Sequence, residues 1–410
     1  MKYCLIGERL SHSYSAEIHA KCGLTYTLRE IPRDKIKNFL KEGYDGFNVT
    51  IPYKQDIIPY LDGLADSAAA IGAVNTVVKK DGGYYGYNTD AEGMRYALKR
   101  KGIDICGKKV MILGSGGTSR TAAALCKAEN AEFCVVVSRS GAVNYQNCYD
   151  FKDTEIIINA TPVGMFPNAG ESPVDLSRFS NLKGVFDCIY NPFKTALIIQ
   201  ADKLGITCSD GLPMLVKQAT EAQKIWGFCA DDGKTEELIN SLYLDKANVV
   251  LIGMPSCGKS AVGKAVASLL GKKFIDTDAE IYNATGKTPA EIIETDGERA
   301  FRDTETEIIK KFAYLGGAVI ATGGGAVLRE ENVSALKSNG VVFYLRRDIS
   351  LLTAAGRPLS KEKGIAKLFE ERKALYERAA DLTADNNDDI ASCAEKIARA
   401  FNNYEFNPKI

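Results

Sequence analysis

Short, fully apolar runs alternate with longer amphipathic segments along most of the chain. The clearest runs cover residues 2–7, 110–113, 249–252, 318–322 and 341–345. Uninterrupted apolar runs of this length are typical of strands that are buried on both faces of a parallel sheet. Strands alternating with helices predict an α/β fold with largely parallel sheets.

One of these runs leads into a phosphate-binding motif. After residues 249–252 comes GMPSCGKS, residues 253–260, which matches G-x-x-x-x-G-K-[ST], and a helical pattern over 261–270 follows. In such a loop the backbone N–H groups surround a polyphosphate, Lys259 neutralises the β- and γ-phosphates, and the Ser260 hydroxyl reaches Mg²⁺. The alternative is a chance glycine turn. The nucleotide contacts predicted here are Gly253, Pro255, Ser256, Cys257, Gly258, Lys259, Ser260 and Ala261.

A second glycine turn lies in the middle of the chain. The strand at 110–113 runs into GSGGTSR, residues 114–120, which approximates the dinucleotide fingerprint with Ser119 at the third glycine position. The next strand, 133–137, is followed by Arg139, where an acidic residue would favour NAD and an arginine favours the 2′-phosphate of NADP. We therefore expect NADP, bound by Gly114, Ser115, Gly116, Gly117, Thr118, Ser138, Arg139 and Ser140.

Polar residues stand at the ends of predicted elements in the first hundred residues. Lys54 and Asp90 suit proton transfer, since a neighbouring carboxylate positions an ammonium group and shifts its pKa. Asparagines and serines there could bind the hydroxyls and carboxylate of a small ligand. Taken singly, each is better explained as a solvated loop residue, and Ser13 and Ser15 as caps of the following helix. The set is Ser13, Ser15, Asn48, Lys54, Asn75 and Asp90.

Two aspartates end a short strand after the phosphate-binding loop. Asp276 and Asp278 suit Mg²⁺ and a substrate hydroxyl, and the alternative is a cap on the next helix. Arg302, taken alone, would be a surface residue. The run Gly323-Gly324-Gly325 after another buried strand lets the backbone approach a ligand closely.

Composition argues against a nucleic-acid-binding, membrane-spanning or secreted protein. The 410 residues are enough for two or three domains, and a formal net charge of zero argues against nucleic acid or an anionic membrane as partner. No apolar run reaches the ~18 residues of a membrane span, and the N-terminus lacks a secretory h-region. The eleven cysteines include no C-x-x-C pair, and Cys134 and Cys188 are expected in the core. We expect a cytoplasmic protein.

Residues 1 to about 245 resemble shikimate dehydrogenase. Its motifs occur in the family's order, from S-x-S at residues 13–15 through N-V-T-x-P-x-K at 48–54 to D-G-x-x-M-L-V-x-Q at 210–218. The resemblance implies a substrate domain of residues 1–98 completed by helices at 210–245, and a Rossmann-type NADP domain at 99–209. The motifs between the first and last are A-V-N-T at 73–76, N-T-D at 88–90, G-x-G-G at 114–117 and N-A-T-P at 159–162.

By this resemblance, Lys54 and Asp90 are the catalytic pair. Hydride passes between C4 of the nicotinamide and the carbon that bears the 3-oxo group of 3-dehydroshikimate, and Lys54 exchanges the proton of that oxygen. Ser13, Ser15 and Tyr190 bind the substrate carboxylate. The remaining implied contacts are Asn48, Thr50, Asn75 and Gln218 for the substrate, and Thr161 and Gly211 for NADP.

The first half departs from this family in two places. Residues 141–147 lack the second basic residue that often follows the Arg139 position, and the stretch between 137 and 156 is too short for a normal crossover helix.

Residues 247–405 resemble shikimate kinase. The phosphate-binding loop is followed in the family's order by D-T-D at 276–278, G-E-x-x-F-R at 297–302, G-G-G at 323–325, R-P-L at 357–359 and R-x-x-L-Y at 372–376. The resemblance implies a P-loop kinase domain with a parallel sheet over residues 246–410.

Roles for this second half follow from the resemblance. Asp276 and Ser260 hold Mg²⁺, and Asp278 orients the 3-hydroxyl that attacks the γ-phosphate. Lys259 neutralises the charge of the phosphoryl group that is transferred. Arg357 belongs to a lid over ATP. The shikimate contacts are Asp278, Arg302, Gly323, Gly324, Gly325 and Arg372. Three features depart from the family: Ala374 replaces a common proline, the lid is short, and an arginine before it is missing.

The two resemblances together predict a bifunctional enzyme. The first half reduces 3-dehydroshikimate to shikimate with NADPH, and the second phosphorylates shikimate with ATP and Mg²⁺. Two alternatives stay open: a quinate or polyol dehydrogenase joined to another small-molecule kinase, and a ligand sensor without turnover. We expect a monomer or weak homodimer with small-molecule partners only.

Overall fold

The computed structural model describes residues 1–10, 13–229, 231–352 and 364–407. Three sheets follow one another along the chain, as the alternating pattern predicts. Within the described residues, no helix combines the length and the apolar character that crossing a membrane requires.

The first sheet has six strands in the order β2-β1-β3-β5-β6-β4. Parallel pairing of β1 with β2 and β3 gives way to antiparallel pairing from β3 through β5 to β6, so the sheet is mixed. Its strands are β1 (Tyr3–Gly7), β2 (Tyr26–Glu30), β3 (Gly46–Val49), β4 (Gly63–Leu64), β5 (Thr76–Lys80) and β6 (Gly83–Tyr87). The helices are α1 (Ser15–Lys21), α2 (Ile36–Phe39), α3 (Asp66–Ile71) and α4 (Asp90–Arg100).

The second sheet has five parallel strands in the order β11-β10-β9-β7-β8. The elements are β7 (Lys109–Leu113), α5 (Gly117–Ala128), β8 (Phe133–Val137), β9 (Ile156–Asn159), β10 (Gly184–Asp187), α6 (Ala196–Lys203) and β11 (Thr207–Ser209). Two helices follow, α7 (Leu212–Ile225) and α8 (Asp232–Lys246). α7 packs along α4, which returns the chain to the first sheet.

The link from β8 to β9 contains only a single 3-10 turn, Cys148–Asp150, in place of a crossover helix. The prediction from the short spacing is thus confirmed. β8 lies at the edge of the sheet, and Phe133 and Cys134 are exposed there. The prediction of Cys134 as a core residue is therefore wrong, because no helix from this link covers that side of the strand. Cys188 is half-buried.

The third sheet is parallel, with strand order β13-β14-β12-β15-β16. Its strands are β12 (Asn248–Ile252), β13 (Lys273–Asp276), β14 (Ala318–Ala321), β15 (Gly340–Arg346) and β16 (Leu382–Asp385). The helices are α9 (Lys259–Leu270), α10 (Thr277–Thr285), α11 (Pro289–Leu315), α12 (Glu330–Ser338), α13 (Ile365–Ala379) and α14 (Ile390–Asn402). Five central parallel strands flanked by helices agree with the predicted α/β class.

One apolar core joins the third sheet to the helices that precede it. Leu212 of α7 and Leu242 of α8 belong to the same buried cluster as Val250 of β12. Hydrogen bonds also cross between the halves, for example from the Phe193 amide to the side-chain oxygen Asn339 Oδ1 at 2.8 Å. The third sheet is therefore packed directly onto the earlier part of the chain.

The last described residues return to that earlier part. Phe406 stacks on Tyr243 of α8 with ring centroids 5.5 Å apart. The Asn407 Nδ2 group donates to Asp210 Oδ2 at 3.0 Å, and Arg100 of α4 donates to the Asn407 carbonyl. This C-terminal segment, residues 404–407, thus contacts α4 and the start of α7.

Candidate active sites

A buried lysine–aspartate pair lies where the first and second sheets meet. Lys54 Nζ is 2.6 Å from Asp90 Oδ2, and both side chains are largely shielded from solvent. Asp90 begins α4, where the helix dipole favours a negative charge. The Asn75 Nδ2 group donates to the other oxygen, Asp90 Oδ1, at 2.8 Å. The carboxylate is therefore fixed on both oxygens, and the ammonium group is held for proton exchange.

Amide side chains extend this pair. Asn75 Nδ2 also lies 3.4 Å from Gln218 Oε1 of α7. Asn48 is 5% exposed, and its Nδ2 donates to the Asn75 carbonyl and to Thr76 Oγ1. Three of the predicted substrate residues thus form one connected set around Asp90. In this structure Asn48 is satisfied entirely by protein groups, since Tyr26 OH donates to its Oδ1 at 2.7 Å.

The two serines lie at the start of α1. The N-cap position is Tyr14, with no side-chain cap, and Ser13 Oγ donates to Ser15 Oγ at 3.1 Å. Ser13 Oγ also accepts from the amide of Ser15, the first residue of α1, at 3.2 Å, so the capping interpretation is supported for Ser13 and not for Ser15. The Tyr14 ring contacts the half-buried Tyr190 ring after β10, with centroids 5.1 Å apart, so the serines and Tyr190 share one region. Thr50 follows β3, where its methyl group faces Gly7.

His19 is a residue that the sequence analysis missed. It is fully buried, stacks on Tyr26 and bonds Gln223 Nε2 through Nδ1 at 2.9 Å. Burial lowers the pKa of His19 to about 4, so the ring is neutral at pH 7. It supports Tyr26, which in turn holds Asn48. Its position on the apolar side of α1 was the only available signal.

The glycine turn between β7 and α5 of the second sheet lies beside Lys54. A Cβ built on Gly117 would lie 3.9 Å from Lys54 Cδ. Gly114 has a φ of +106° and faces the Ala160 carbonyl, so a side chain there would be both strained and crowded. Ser119 donates to the Gly114 carbonyl at 2.7 Å, which accounts for a serine at the third glycine position. The turn between β7 and α5 therefore fits a dinucleotide beside Lys54.

The other predicted NADP residues follow the strands of the same sheet. Thr161 follows β9, where its hydroxyl donates to Asn159 Oδ1 at 2.7 Å. Gly211 packs against the Cys188 carbonyl so closely that no side chain fits. Arg139 is exposed after β8, and among the described residues it has no ion-pair partner that would compete with a phosphate. Ser115, Gly116 and Thr118 lie in the turn, and Ser138 and Ser140 flank Arg139.

Two buried carboxyl groups follow the strands of this sheet. Burial raises the pKa of Asp187 to about 7, although Thr195, the Ile189 amide and Asn159 donate to it. Burial likewise raises the pKa of Asp210 to about 6. Asp210 accepts from the Leu212 amide at the start of α7 and from Tyr243 OH at 2.6 Å. These groups hold the turns after β10 and β11 in place.

In the third sheet, the phosphate-binding loop joins β12 to α9 as predicted. Gly253 and Gly258 have φ values of +148° and +100°, which glycine adopts without strain. Lys259 is buried and donates to the carbonyls of Gly253 at 2.9 Å and Met254 at 2.8 Å. Pro255 packs against Gly324, which connects the loop to the glycine run. The loop residues Ser256, Cys257 and Ala261 complete the cradle.

Hard oxygen ligands suited to Mg²⁺ meet at the first turn of α9. Ser260 Oγ lies 2.5 Å from Asp276 Oδ2. Asp276 also caps α10 by accepting from the Asp278 amide at 3.1 Å. The metal and capping interpretations of this aspartate are thus compatible, because each uses a different carboxylate oxygen.

Charged groups converge on the glycine run. Arg302 Nη1 bonds Glu305 Oε2 at 2.7 Å, and Arg372 Nη1 bonds the Gly324 carbonyl at 3.2 Å. A Cβ on Gly323 would meet Asp278 and Glu305, and one on Gly325 would meet the Arg302 guanidinium. Arg302 is buried, so the expectation of a surface residue from its sequence context alone is wrong. Arg357 lies outside the described residues.

Glu305 was missed although it lies one helical turn after Arg302. It is completely buried, its Oε1 has no hydrogen-bond partner, and burial raises the pKa of its carboxyl group. An unsatisfied buried carboxylate oxygen beside two arginines indicates a place for a ligand hydroxyl. The i,i+3 spacing from Arg302 was a usable signal.

Comparisons with known proteins match both halves of the chain. The model of the shikimate dehydrogenase substrate binding domain matches residues 5–77, and the shikimate kinase model matches residues 255–402. Shikimate dehydrogenase (NADP(+)) from Clostridium perfringens (strain SM101 / Type A) is 37% identical over 259 residues, which is 57% of this chain and 95% of that protein.

Solved structures resemble the first half in the same way. A chorismate mutase/shikimate 5-dehydrogenase fusion protein from Clostridium acetobutylicum has a TM-score of 0.56 at 34% identity, over 58% of this chain and 96% of that one. Shikimate 5-dehydrogenase from Thermus thermophilus, in complex with NADP(H) and shikimate, has a TM-score of 0.53 at 29% identity, over 59% of this chain and 99% of that one.

Proposed function

We propose that this chain, which belongs to the shikimate dehydrogenase family and carries a shikimate kinase domain after it, performs two consecutive reactions of the shikimate pathway. The first half reduces 3-dehydroshikimate to shikimate with NADPH. The second half transfers the γ-phosphoryl group of ATP to the shikimate 3-hydroxyl. The oxygen that the first reaction converts from ketone to hydroxyl is the one that the second reaction phosphorylates.

The contact between Lys54 and Asp90 beside the Gly117 turn is the observation that carries the first activity. Bound NADPH supplies the hydride for the ketone carbon. Lys54 then gives a proton from Nζ to the ketone oxygen, and Asp90 holds the ammonium group and stabilises its charge. Asn75 and Gln218 orient the ring hydroxyls, and Ser13, Ser15 and Tyr190 bind the carboxylate. Arg139 binds the 2′-phosphate and so favours NADP over NAD.

The second activity rests on the cradle around Lys259 and the charged cluster at the glycine run. Mg²⁺ bound by Ser260 and Asp276 would neutralise phosphate charge. Asp278 accepts the proton of the 3-hydroxyl as its oxygen attacks the γ-phosphorus, and the bond from phosphorus to the β-bridging oxygen breaks. Arg302 and Arg372 bind the substrate carboxylate as guanidinium forks, while Glu305 orients Arg302.

We also propose a cytoplasmic location and small molecules as the only partners. All eleven cysteines are free thiols, which is typical of a reducing compartment. The expected monomer or weak homodimer is checked by size-exclusion chromatography with light scattering.

One reaction mixture tests both activities: purified protein, 3-dehydroshikimate, NADPH, ATP and Mg²⁺, analysed by mass spectrometry. We expect shikimate 3-phosphate only when both NADPH and ATP are present, and shikimate alone when ATP is omitted. Shikimate without phosphate in the complete mixture would refute the kinase assignment. If NADPH were not consumed, the dehydrogenase assignment would be wrong, and quinate with NAD would be tested next.

A further inference from the structure

Two consecutive arginines at the end of β15 have opposite surroundings. Arg346 is exposed and pairs with Asp385 of the neighbouring strand, through Nε at 2.8 Å and Nη2 at 3.1 Å. Arg347, the first residue after β15, faces the phosphate-binding loop instead. There a Cβ built on Gly258 of the phosphate-binding loop would lie 3.7 Å from Arg347 Nη1.

Arg347 lacks the partners that satisfy Arg346. Its Nε is buried and has no hydrogen-bond partner, and it forms no ion pair with any carboxylate among the residues described. A buried N–H of a charged group without an acceptor is rare in folded proteins unless a ligand or water completes it.

Asn386, directly after β16, has a second unpartnered polar atom in the same place. The residue is 1% exposed, its Nδ2 donates to the Cys257 carbonyl at 2.8 Å, and the same Nδ2 lies against Gly258. Its Oδ1 is buried without a partner. Asn386 thus fixes the loop through one end of its amide and leaves an acceptor at the other.

We propose that Arg347 and Asn386 form a nucleotide subsite beside the phosphate-binding loop. This inference rests on the proposed kinase function. The Arg347 guanidinium bonds an oxygen of the α- or β-phosphate, because Gly258 belongs to the part of the loop whose amides surround those two phosphates. Asn386 Oδ1 accepts from an N–H group of the nucleotide. Lys259 remains the group that neutralises the β- and γ-phosphates.

The assignment makes a specific kinetic prediction. A contact with the α- or β-phosphate is present in ATP, in ADP and in the transition state alike, so it contributes uniform binding. Its loss raises the Kd of ATP and ADP and the KM for ATP by similar factors. The kcat at saturating ATP changes little, since the γ-phosphoryl group is handled elsewhere.

The test compares Arg347→Gln with its neighbour Arg346→Gln as the matched control. Titration calorimetry with ADP and with ATP gives the affinities, and coupled assays give kcat and KM. Because a charge-assisted hydrogen bond is lost, we expect Arg347→Gln to weaken both nucleotides about tenfold or more. Arg346→Gln should stay within about twofold of the unaltered protein, since an exposed ion pair contributes little.

Several outcomes would overturn the subsite. Equal affinities in Arg347→Gln and Arg346→Gln would do so, and so would a fall in kcat with unchanged Kd, which would move Arg347 to the transferring group. Kinase turnover at saturating ATP in the same sample shows whether the third-sheet half of each variant is folded. If Arg347→Gln fails to fold, Arg347→Lys replaces it. An unchanged Kd for ADP in Arg347→Lys would refute the contact between the guanidinium group and the phosphate. A protein without ADP binding before any substitution would instead refute the kinase function itself.

Discussion

The two proposed active sites differ in the contacts that their proposed catalytic groups make. In the dehydrogenase half, the proposed reactive groups contact each other. Lys54 and Asn75 both donate hydrogen bonds to the Asp90 carboxylate. In the kinase half, the proposed reactive groups contact other protein atoms. Lys259 bonds carbonyls of its own loop, and Ser260 bonds Asp276.

This difference predicts that substitutions in the two sites affect the kinetic constants differently. The dehydrogenase pair is assembled before substrate arrives, so substitutions there should act mainly on kcat. In their proposed roles the kinase groups would exchange internal hydrogen bonds for bonds to phosphate and Mg²⁺, so substitutions there should change both KM and kcat. The predictions below test this contrast, from the largest effect to the smallest.

Lys54→Ala should lower the dehydrogenase kcat on the order of 10³-fold, because the group that protonates the ketone oxygen is lost. NADPH oxidation in the presence of 3-dehydroshikimate, followed by its absorbance, measures this change. The kinase rate should be unaffected, and Lys79→Ala, an exposed lysine on β5, serves as control. Loss of both activities in Lys54→Ala would show that the halves do not work independently.

Lys259→Ala should lower kinase kcat on the order of 10²-fold and also raise the KM for ATP, since charge stabilisation and the loop contacts disappear together. A coupled assay for ADP gives both constants. The exposed Lys264→Ala on the same helix is the matched control. A change in kcat alone would contradict the exchange of contacts, and an unaltered rate would remove this loop from the mechanism.

Arg139→Ala should raise the KM for NADPH about tenfold and leave that for NADH nearly unchanged, because only NADPH has the 2′-phosphate. Steady-state kinetics with both cofactors decides the matter, with Lys127→Ala at the far end of α5 as control. An equal increase for both cofactors would contradict the phosphate contact.

Asn407→Ala should have the smallest effect. It removes one hydrogen bond to the buried Asp210 carboxyl group and should lower the unfolding free energy of the dehydrogenase half by about 1 kcal/mol. Thermal inactivation of the dehydrogenase, compared with that of the kinase, measures the loss. Equal destabilisation of both activities would mean that the C-terminal segment supports the molecule generally rather than the start of α7.

Local patterns were sufficient to predict the central strands β1, β7, β12, β14 and β15, the glycine turn after β7 and the phosphate-binding loop, since each is specified by neighbouring residues. The strands β2, β4, β11 and β16 were not predicted. The misses depend on long-range packing. His19 and Asn386 derive their roles from residues far away in the sequence, and no local signal distinguishes Arg347 from Arg346. The Cys134 error was avoidable, because the short link after β8 already implied an uncovered strand.

The contact between Asn407 and Asp210 can form only late in the synthesis of the chain. The two residues are 197 positions apart, so at typical translation rates Asn407 is added ~10–40 s after Asp210. During that interval the dehydrogenase half can fold around its own sheets while the carboxyl group lacks one of its donors. The half of the chain that is made first is therefore the last to acquire its complete set of contacts.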